Sequence, residues 1–232
     1  WFKPAGNAVT AILPGGALNP KFNKWLDKVA SFIMSLKDKN GDVIPVLFRP
    51  WHEMNGGWFW WGASDCTPEE YRQLYQYTHK RISEKVCDNL VWGYSPNLAS
   101  NESEENFMKY YPGDEYVDLI GIDVYQMAAD SVYQGDLRKE FDVMKIVGEK
   151  HNKLVALTET GNKTVSHPKW FTETLLPVLE EYKLCYALLW RNAWDNPKEV
   201  YASAPNLPTA KDFKKFCKNK RILMNKDIKK MK

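Results

Sequence analysis

The amino-acid sequence predicts an α/β fold built on a parallel sheet, because short apolar segments alternate with segments of helical period. Five of the short segments are rich in β-branched and apolar residues, as expected of strands that are buried on both faces of a sheet. No linker, internal repeat or low-complexity stretch separates them, so we expect residues 1–232 to form a single domain. The five predicted strands are residues 44–48, 90–95, 117–125, 154–159 and 185–190.

Segments of helical period lie between most of these strands. The first begins at Asn19-Pro20 and repeats apolar residues at spacings of three and four. Residues 67–70 have the sequence of a capping box with proline at the first helical position, which predicts a second helix there. Residues 137–150 and 168–181 predict two further helices, and residues 211–232 a closing amphipathic helix with a frayed tail.

Polar or aromatic side chains of chemical interest lie at the end of every predicted strand. Functional groups at the carboxyl ends of successive parallel strands are typical of the active face of a (β/α)8 TIM barrel. A doubly wound sheet is the alternative, but it normally carries a glycine-rich phosphate loop after its first strand, and the sequence has none. The side chains concerned are Arg49, His52, Glu53, Asn97, Asp123, Tyr125, Glu159, Trp190 and Arg191.

The number of strands falls short of a complete barrel, which has eight strands in about 250 residues. Residues 8–13 form one further apolar stretch, which predicts a loop or an extra strand and cannot supply three βα units. We therefore expect the chain to lack the first three βα units of the barrel, so that the domain is N-terminally incomplete.

Composition excludes several classes of function. A formal net charge of +3 is too balanced for the basic surface of a nucleic-acid-binding protein. No apolar run reaches the roughly 18 to 20 residues that cross a bilayer, so we expect no membrane insertion. The cysteines show no C-x-x-C pair, which leaves their disulfide state open. They are Cys66, Cys87, Cys185 and Cys217.

Residues 49–62 are the most informative stretch of the sequence. The pair His52-Glu53 could begin an H-E-x-x-H zinc motif, but Gly56 occupies the position of the second histidine. We interpret Glu53 instead as a carboxylic acid that protonates a leaving glycosidic oxygen, with His52 orienting it. Aromatic rings after Glu53 offer flat apolar faces to a sugar, although each ring alone could equally be packing. These rings are Trp58, Phe59, Trp60 and Trp61.

Glu159 supplies the second carboxylate that a retaining glycosidase needs. It ends an otherwise apolar strand, so its carboxylate must face a functional cavity or a strong partner. The alternative is a structural ion pair with Arg49 or Arg191. If both glutamates act together, Glu53 is the acid/base and Glu159 is the nucleophile that forms a covalent glycosyl-enzyme.

Together these segments resemble glycoside hydrolase family 26, whose best-known members are endo-acting β-mannanases. The Arg49–Gly62 segment is similar to that family's acid/base signature, and Thr158-Glu159-Thr160-Gly161 to its nucleophile segment on the seventh strand. The resemblance makes the five strands numbers four to eight of the barrel. It also implies that Tyr125 hydrogen-bonds the nucleophile, Trp190 floors the subsite before the cleaved bond, Arg191 contacts the next sugar and Trp58 stacks beyond the bond. The full predicted substrate-binding set is Arg49, His52, Trp58, Trp61, Asn97, Asp123, Tyr125, Trp190 and Arg191.

The sequence thus predicts a retaining endo-β-1,4-mannanase acting on mannan, glucomannan or galactomannan. Two alternatives stay open: hydrolysis of mixed-linkage β-glucan or β-1,3-xylan by the same mechanism, and a non-catalytic carbohydrate-binding barrel. The mechanism requires no metal or other cofactor. We expect a monomer whose partner is its polysaccharide substrate, and the resemblance implies a secreted, periplasmic or cell-surface location.

Overall fold

The computed structural model describes residues 6–100 and 103–229. These residues form two compact units: one contains the described residues up to Gly121 together with Val143–Leu154, and the other contains Ile122–Asp142 and the described residues from Val155 onward. Five strands form one sheet. They are β1 (Val46–Phe48), β2 (Leu90–Tyr94), β3 (Leu119–Gln126), β4 (Leu154–Asn162) and β5 (Ala187–Leu189).

The strands follow one another across the sheet in chain order, β1-β2-β3-β4-β5. Pairing is parallel where Val46 lies opposite Leu90, and again where Leu157 lies opposite Ala187. A sequential parallel order is that of a (β/α) barrel, whereas a doubly wound sheet reverses its strand order at a switch point. The predicted α/β class is therefore confirmed, and the sheet fits part of a (β/α) barrel. The absence of three βα units stays a prediction.

Helices of the first unit include one that the sequence did not predict. The stretch 8–13, expected to be a loop or strand, forms a short helix because the Asn7 side chain caps it by accepting hydrogen bonds from the backbone N–H groups of Val9 and Thr10. The predicted capping box at Thr67 and Glu70 is present. The helices are α1 (Ala8–Ile12), α2 (Asn19–Ser35), α3 (Pro68–Ser83) and α4 (Glu104–Met108), with a 3₁₀ turn at Asp114–Tyr116.

The remaining helices depart from the sequence expectation at their boundaries. The helix predicted at 137–150 spans Asp130–His151 and is α5. The helix predicted at 168–181 is a π-helical turn, Trp170–Leu175, followed by α6, Leu176–Glu181, in which Pro177 has no N–H to donate. The prediction of a single closing helix is wrong, because α7 (Ala210–Phe216) and α8 (Asn225–Ile228) are separate helices. Residues 230–232 of the predicted helix lie outside the described residues.

Burial varies strongly among the strands. Seven of the eight residues of β3 are buried, and β4 is buried from Ala156 to Asn162. The expectation of strands buried on both faces is wrong for β1 and β5, where Leu47 and Leu188 are exposed. Each of these two strands has a single neighbour in the described sheet, which leaves part of its surface uncovered.

Two further features follow from the described residues. All four cysteines are free, which answers the question that their spacing left open. Among the described helices, none combines the length and apolarity that crossing a bilayer would require.

Candidate active site

The segment after β1 holds Glu53 in an unusual backbone conformation. Both Trp51 and Glu53 have positive φ angles, 56° and 53°, a region that residues with a side chain seldom occupy. Each such residue costs on the order of 1–3 kcal/mol and persists only when its surroundings hold it in place. Backbone strain at Glu53, the residue that the sequence predicts to be the acid, is the first structural indication of a functional site.

Hydrogen bonds from neighbouring elements hold this backbone. The Glu53 N–H donates to the carbonyl of Ser95, just beyond β2, over 2.9 Å. The hydroxyl of the fully buried Tyr71 on α3 donates to the Trp51 carbonyl over 3.0 Å. The indole N–H of Trp61 donates to the His52 carbonyl over 2.9 Å. Three consecutive residues are thus fixed from three directions.

The carboxylate of Glu53 has a direct aromatic partner. The indole N–H of Trp58 donates to Glu53 Oε2 over 2.8 Å. Gly56 allows this arrangement, because a Cβ there would lie 2.3 Å from the Trp58 ring. The space that the absence of a side chain at Gly56 leaves open is filled by the protein's own indole ring.

The other predicted aromatic residues form a packed cluster. Phe59 and Trp61 stack with centroids 4.2 Å apart, and Trp51 lies 5.4 Å from Trp60 and from Trp61. The ring and N–H of Trp61 therefore support the loop from within. The contact with substrate that the sequence suggested for Trp61 stays a prediction.

His52 is held as a neutral side chain. Burial, and to a smaller extent the charge of Arg49, lower the pKa of His52 to about 4 from its ordinary value near 6.5. Arg49 itself donates to the Ser95 hydroxyl over 2.6 Å. At neutral pH, His52 can position a neighbour by hydrogen bonding but adds no positive charge to the site.

Asn97, predicted to bind substrate, is joined to the Glu53 loop. Asn55 donates to the Asn97 carbonyl over 2.6 Å and accepts from the Asn97 N–H over 2.8 Å. Beside this clamp and Trp58 lies a cavity of about 380 Å³, whose wall also includes Lys109. A larger cavity of about 990 Å³ runs along α3 and contains none of the predicted site residues.

In the second unit, Glu159 lies inside β4, because the strand extends to Asn162, three residues beyond the predicted end. Its side chain is 3% exposed, and Tyr125 on β3 donates a hydrogen bond to Glu159 Oε2 over 2.7 Å. Asp123 is fully buried and accepts a hydrogen bond from the Thr158 hydroxyl over 2.6 Å. Side-chain bonds between adjacent strands therefore set the orientation of both carboxylates.

A polar network that sequence analysis missed continues from these strand ends. Asn162 donates to Gln126 over 3.0 Å, and Gln126 donates to Asp130 over 2.6 Å. Asp130 also accepts from Thr174 over 2.8 Å and lies 3.1 Å from His167 Nδ1. Although burial raises the pKa of Asp130, these hydrogen bonds and the charge of His167 lower it overall. The available signal was two amides, Gln126 and Asn162, which follow the predicted strands within three residues.

Tyr201 is a second residue that the sequence did not reveal. Its ring packs edge-on against Tyr125 with centroids 5.3 Å apart. The ring also lies over Gly161, where an added Cβ would come within 2.7 Å of it. Tyr201 thereby fixes the ring whose hydroxyl contacts Glu159.

The end of β5 carries the last two predicted residues. The Trp190 N–H donates to the Thr160 carbonyl over 2.9 Å, which ties it to β4. Arg191 pairs with Glu199 at 3.2 Å, and both side chains are partly exposed. This observed ion pair is local to the loop after β5.

Comparison with known proteins places this arrangement among the glycoside hydrolases. A family model described as "Glycosyl hydrolase family 26" matches residues 5–220. A mannan endo-1,4-beta-mannosidase of Bifidobacterium adolescentis is 32% identical over 97% of this chain and 24% of its own length. The solved structure of a GH26 beta-mannanase from Bacteroides ovatus, BoMan26A, superposes with a TM-score of 0.91 at 42% identity, over 95% of this chain and 64% of that one.

The chain belongs to glycosyl hydrolase family 26, since the family model covers nearly all of it. A mannan endo-1,4-beta-mannosidase of Bacillus subtilis strain 168, 32% identical, matches 79% of this chain and 48% of its own length. The chain thus spans from about a quarter to two thirds of the length of these three relatives.

Replacing Gly56 tests whether the absence of a side chain there is needed to position the Trp58 ring against Glu53. In Gly56→Ala the new methyl group must displace the Trp58 ring and with it the N–H that contacts Glu53. We expect kcat for glycoside hydrolysis to fall by about 10- to 100-fold, the size of effect that a misplacement near 1 Å produces. Steady-state kinetics with purified protein measures it.

Gly57→Ala is the matched control, because its methyl group would meet only the Ser64 side chain, whose hydroxyl, 2.4 Å away, can rotate aside at the loss of one hydrogen bond to the Gly57 carbonyl. We expect its kcat to stay within about twofold of wild type, a small free-energy difference. Equal losses in the two variants would contradict the role assigned to Gly56.

The depressed pKa of His52 predicts a pH-dependent stability. Unfolded His52 takes up a proton below about pH 6.5, whereas folded His52 stays neutral until about pH 4. The unfolded state therefore binds more protons in this window, and the free energy of unfolding should fall by roughly 3 kcal/mol as pH drops through it. Urea unfolding at pH 7 and pH 4.5 should show a smaller pH difference for His52→Gln than for wild type. An identical difference would contradict the assignment.

Proposed function

We propose that this chain carries the catalytic machinery of a retaining endo-β-1,4-mannanase that cleaves mannan, glucomannan or galactomannan by double displacement. Family membership and relatives named as mannan endo-1,4-beta-mannosidases support the proposal. The observation that carries it is the placement of two glutamates at the carboxyl ends of parallel strands: Glu53 on the strained segment after β1 and Glu159 buried in β4. A retaining mechanism needs these two carboxyl groups about 5–5.5 Å apart.

In the first step of the proposed mechanism, Glu159 attacks the anomeric carbon as the glycosidic bond breaks. Glu53 donates its proton to the departing oxygen, which leaves as a free hydroxyl. In the second step Glu53, now a carboxylate, removes a proton from water, and the water oxygen displaces Glu159 from the same carbon. The Tyr125 hydroxyl holds Oε2 of Glu159 in place, which orients the carboxylate for attack. Neither step calls for a metal or other cofactor.

The other predicted residues are proposed to hold the sugars. Trp58 is exposed beside Glu53, a position suited to stacking on the sugar that leaves. Trp190 and Arg191 follow β5 and would contact sugars on the other side of the cleaved bond. Asp123, being fully enclosed, is proposed to act through Thr158. Four further residues would shape the part of the site around Glu53: Arg49, His52, Trp61 and Asn97.

At the level of the whole chain, we propose one barrel domain in which β1 to β5 are strands four to eight. The sequential strand order and the superposition with BoMan26A support this numbering. We also propose a monomer that acts in a secreted, periplasmic or cell-surface location, because a mannan polymer is too large to cross a membrane unaided.

Replacing either glutamate by glutamine tests the assigned roles. We expect Glu53→Gln and Glu159→Gln each to lower hydrolysis of mannan by about 10²- to 10⁴-fold or more, because proton transfer or nucleophilic attack is lost. Binding of mannohexaose, measured by calorimetry, should be largely retained. Glu149→Gln, exposed on α5, is the control and should leave turnover unchanged. Unchanged turnover in either active-site variant would rule out its role.

A panel of polymers tests the proposed substrate against its alternatives. Wild-type protein incubated with mannan, mixed-linkage β-glucan and β-1,3-xylan should release oligosaccharides fastest from mannan. Faster release from another polymer would move the proposal to that glycan, and binding without release from any would favour a carbohydrate-binding barrel.

The stereochemistry of the first product tests the retaining mechanism separately. Proton NMR of a mannohexaose digest should show the β-anomer appearing first, followed by mutarotation, because two displacements at one carbon restore its configuration. Initial release of the α-anomer would require an inverting mechanism.

A further inference from the structure

Trp194 is the most exposed of the large apolar side chains of the described residues, at 94%. The next is Met127, at 84%. Both lie in loops that leave the carboxyl ends of strands, Met127 after β3 and Trp194 after β5. A tryptophan gains more from burial than almost any other residue, so a fully exposed ring calls for a second observation before a role is assigned.

The loop that carries Trp194 is held by its own hydrogen bonds. The side-chain oxygen of Asn192 accepts from the N–H groups of Tyr201 and Ala202, both over 2.9 Å. Closer to the tip, the Ala193 N–H donates to the Glu199 carbonyl over 2.8 Å. The indole ring is therefore presented from an ordered frame rather than from a loose segment.

Further bonds close the frame around the tip. The N–H of Glu199 donates to the Asn196 carbonyl over 3.0 Å, and Arg191 pairs with the Glu199 carboxylate. Trp194 and Asp195 stand at the turn, and neither contributes to these bonds. An ordered loop with a bare aromatic ring at its turn is the arrangement expected of a binding platform, where a ring ordered in advance loses little entropy when a ligand arrives.

The place of the loop indicates which ligand would meet the ring. It starts at the carboxyl end of β5, the neighbour of β4, which carries Glu159 three residues before its own carboxyl end. A polysaccharide is longer than the two sugars that flank its cleaved bond and must continue over this surface. The CH-rich face of a pyranose matches a flat indole, and the neighbouring Asp195 and Arg191 can accept and donate hydrogen bonds to hydroxyl groups.

We propose that Trp194 is a stacking platform for a pyranose ring of the polysaccharide, at a subsite outside those that contact the reacting sugars. The proposal rests on the proposed function, because it takes a β-mannan as the ligand. Trp194 would bind long substrates and would take no part in bond cleavage.

Kinetics on long and short substrates test the platform. Trp194→Ala should raise KM for polymeric mannan by about 3- to 10-fold, the loss expected for one aromatic contact, while kcat stays unchanged. KM for mannotriose, too short to reach the loop, should not change. Trp194→Phe should recover most of the affinity, because stacking needs a ring rather than an indole N–H. An unchanged KM for the polymer, or an equal rise for both substrates, would overturn the proposal.

Trp25→Ala is the matched control, because Trp25 is also exposed, at 52%, but lies on α2. It should leave both KM values unchanged. Affinity electrophoresis in gels containing mannan measures binding without turnover, so retardation that is lost in Trp194→Ala supports the platform even if hydrolysis of mannan fails. Equal retardation of wild type and Trp194→Ala would overturn it, whatever the outcome for catalysis.

Discussion

Burying a carboxylate at the end of an apolar strand costs free energy, and much of the second unit compensates for that cost. An ionised carboxylate without partners would be penalised by several kcal/mol in such surroundings. Glu159 receives the Tyr125 hydroxyl, and Tyr201 packs against the Tyr125 ring. A carboxylate held in this way has a fixed direction of approach, which is what nucleophilic attack on a ring carbon demands.

The first unit solves a different problem, since it must hold a half-buried carboxyl group in one orientation. It does so through the backbone, with Trp51 and Glu53 in left-handed conformations that outside hydrogen bonds keep in place. Strain of this kind cannot relax without breaking the bonds to Ser95, just beyond β2, and to Tyr71 on α3, so the loop is pre-organised before substrate arrives. The two glutamates are thus held by different means, which suit the different roles proposed for them.

Local signals in the sequence predicted most of the fold. The five apolar segments became the five strands, and the capping box at Thr67 formed as its sequence indicated, because both depend on near neighbours in the chain. Helix α1 was missed because a five-residue segment shows no periodicity, and only the cap at Asn7 marks it. The exposure of Leu47 depends on what lies beside β1, which no local pattern records.

For the site, sequence analysis could select the chemistry-bearing residues but not their supports. Glu53, Tyr125 and Glu159 stand out because they interrupt apolar strands or begin a motif. The contact of Asp130 with Thr174 and that of Tyr201 with Tyr125 join residues more than 30 positions apart, so they emerge only from tertiary structure.

The close approach of Tyr201 to Gly161 has an implication for how such enzymes can be altered. Tyr201 lies at the base of the same loop whose turn carries Trp194, and Asn192 binds its backbone N–H. One segment therefore carries both the exposed Trp194 ring and the Tyr201 ring that packs against Tyr125. An engineer who transplants this loop from a relative, or shortens it to change product length, would also displace Tyr201 and with it the support of the Tyr125 ring beside Glu159. Substitutions confined to the turn, with Asn192 and Tyr201 retained, would change the exposed surface without disturbing the packing against Tyr125.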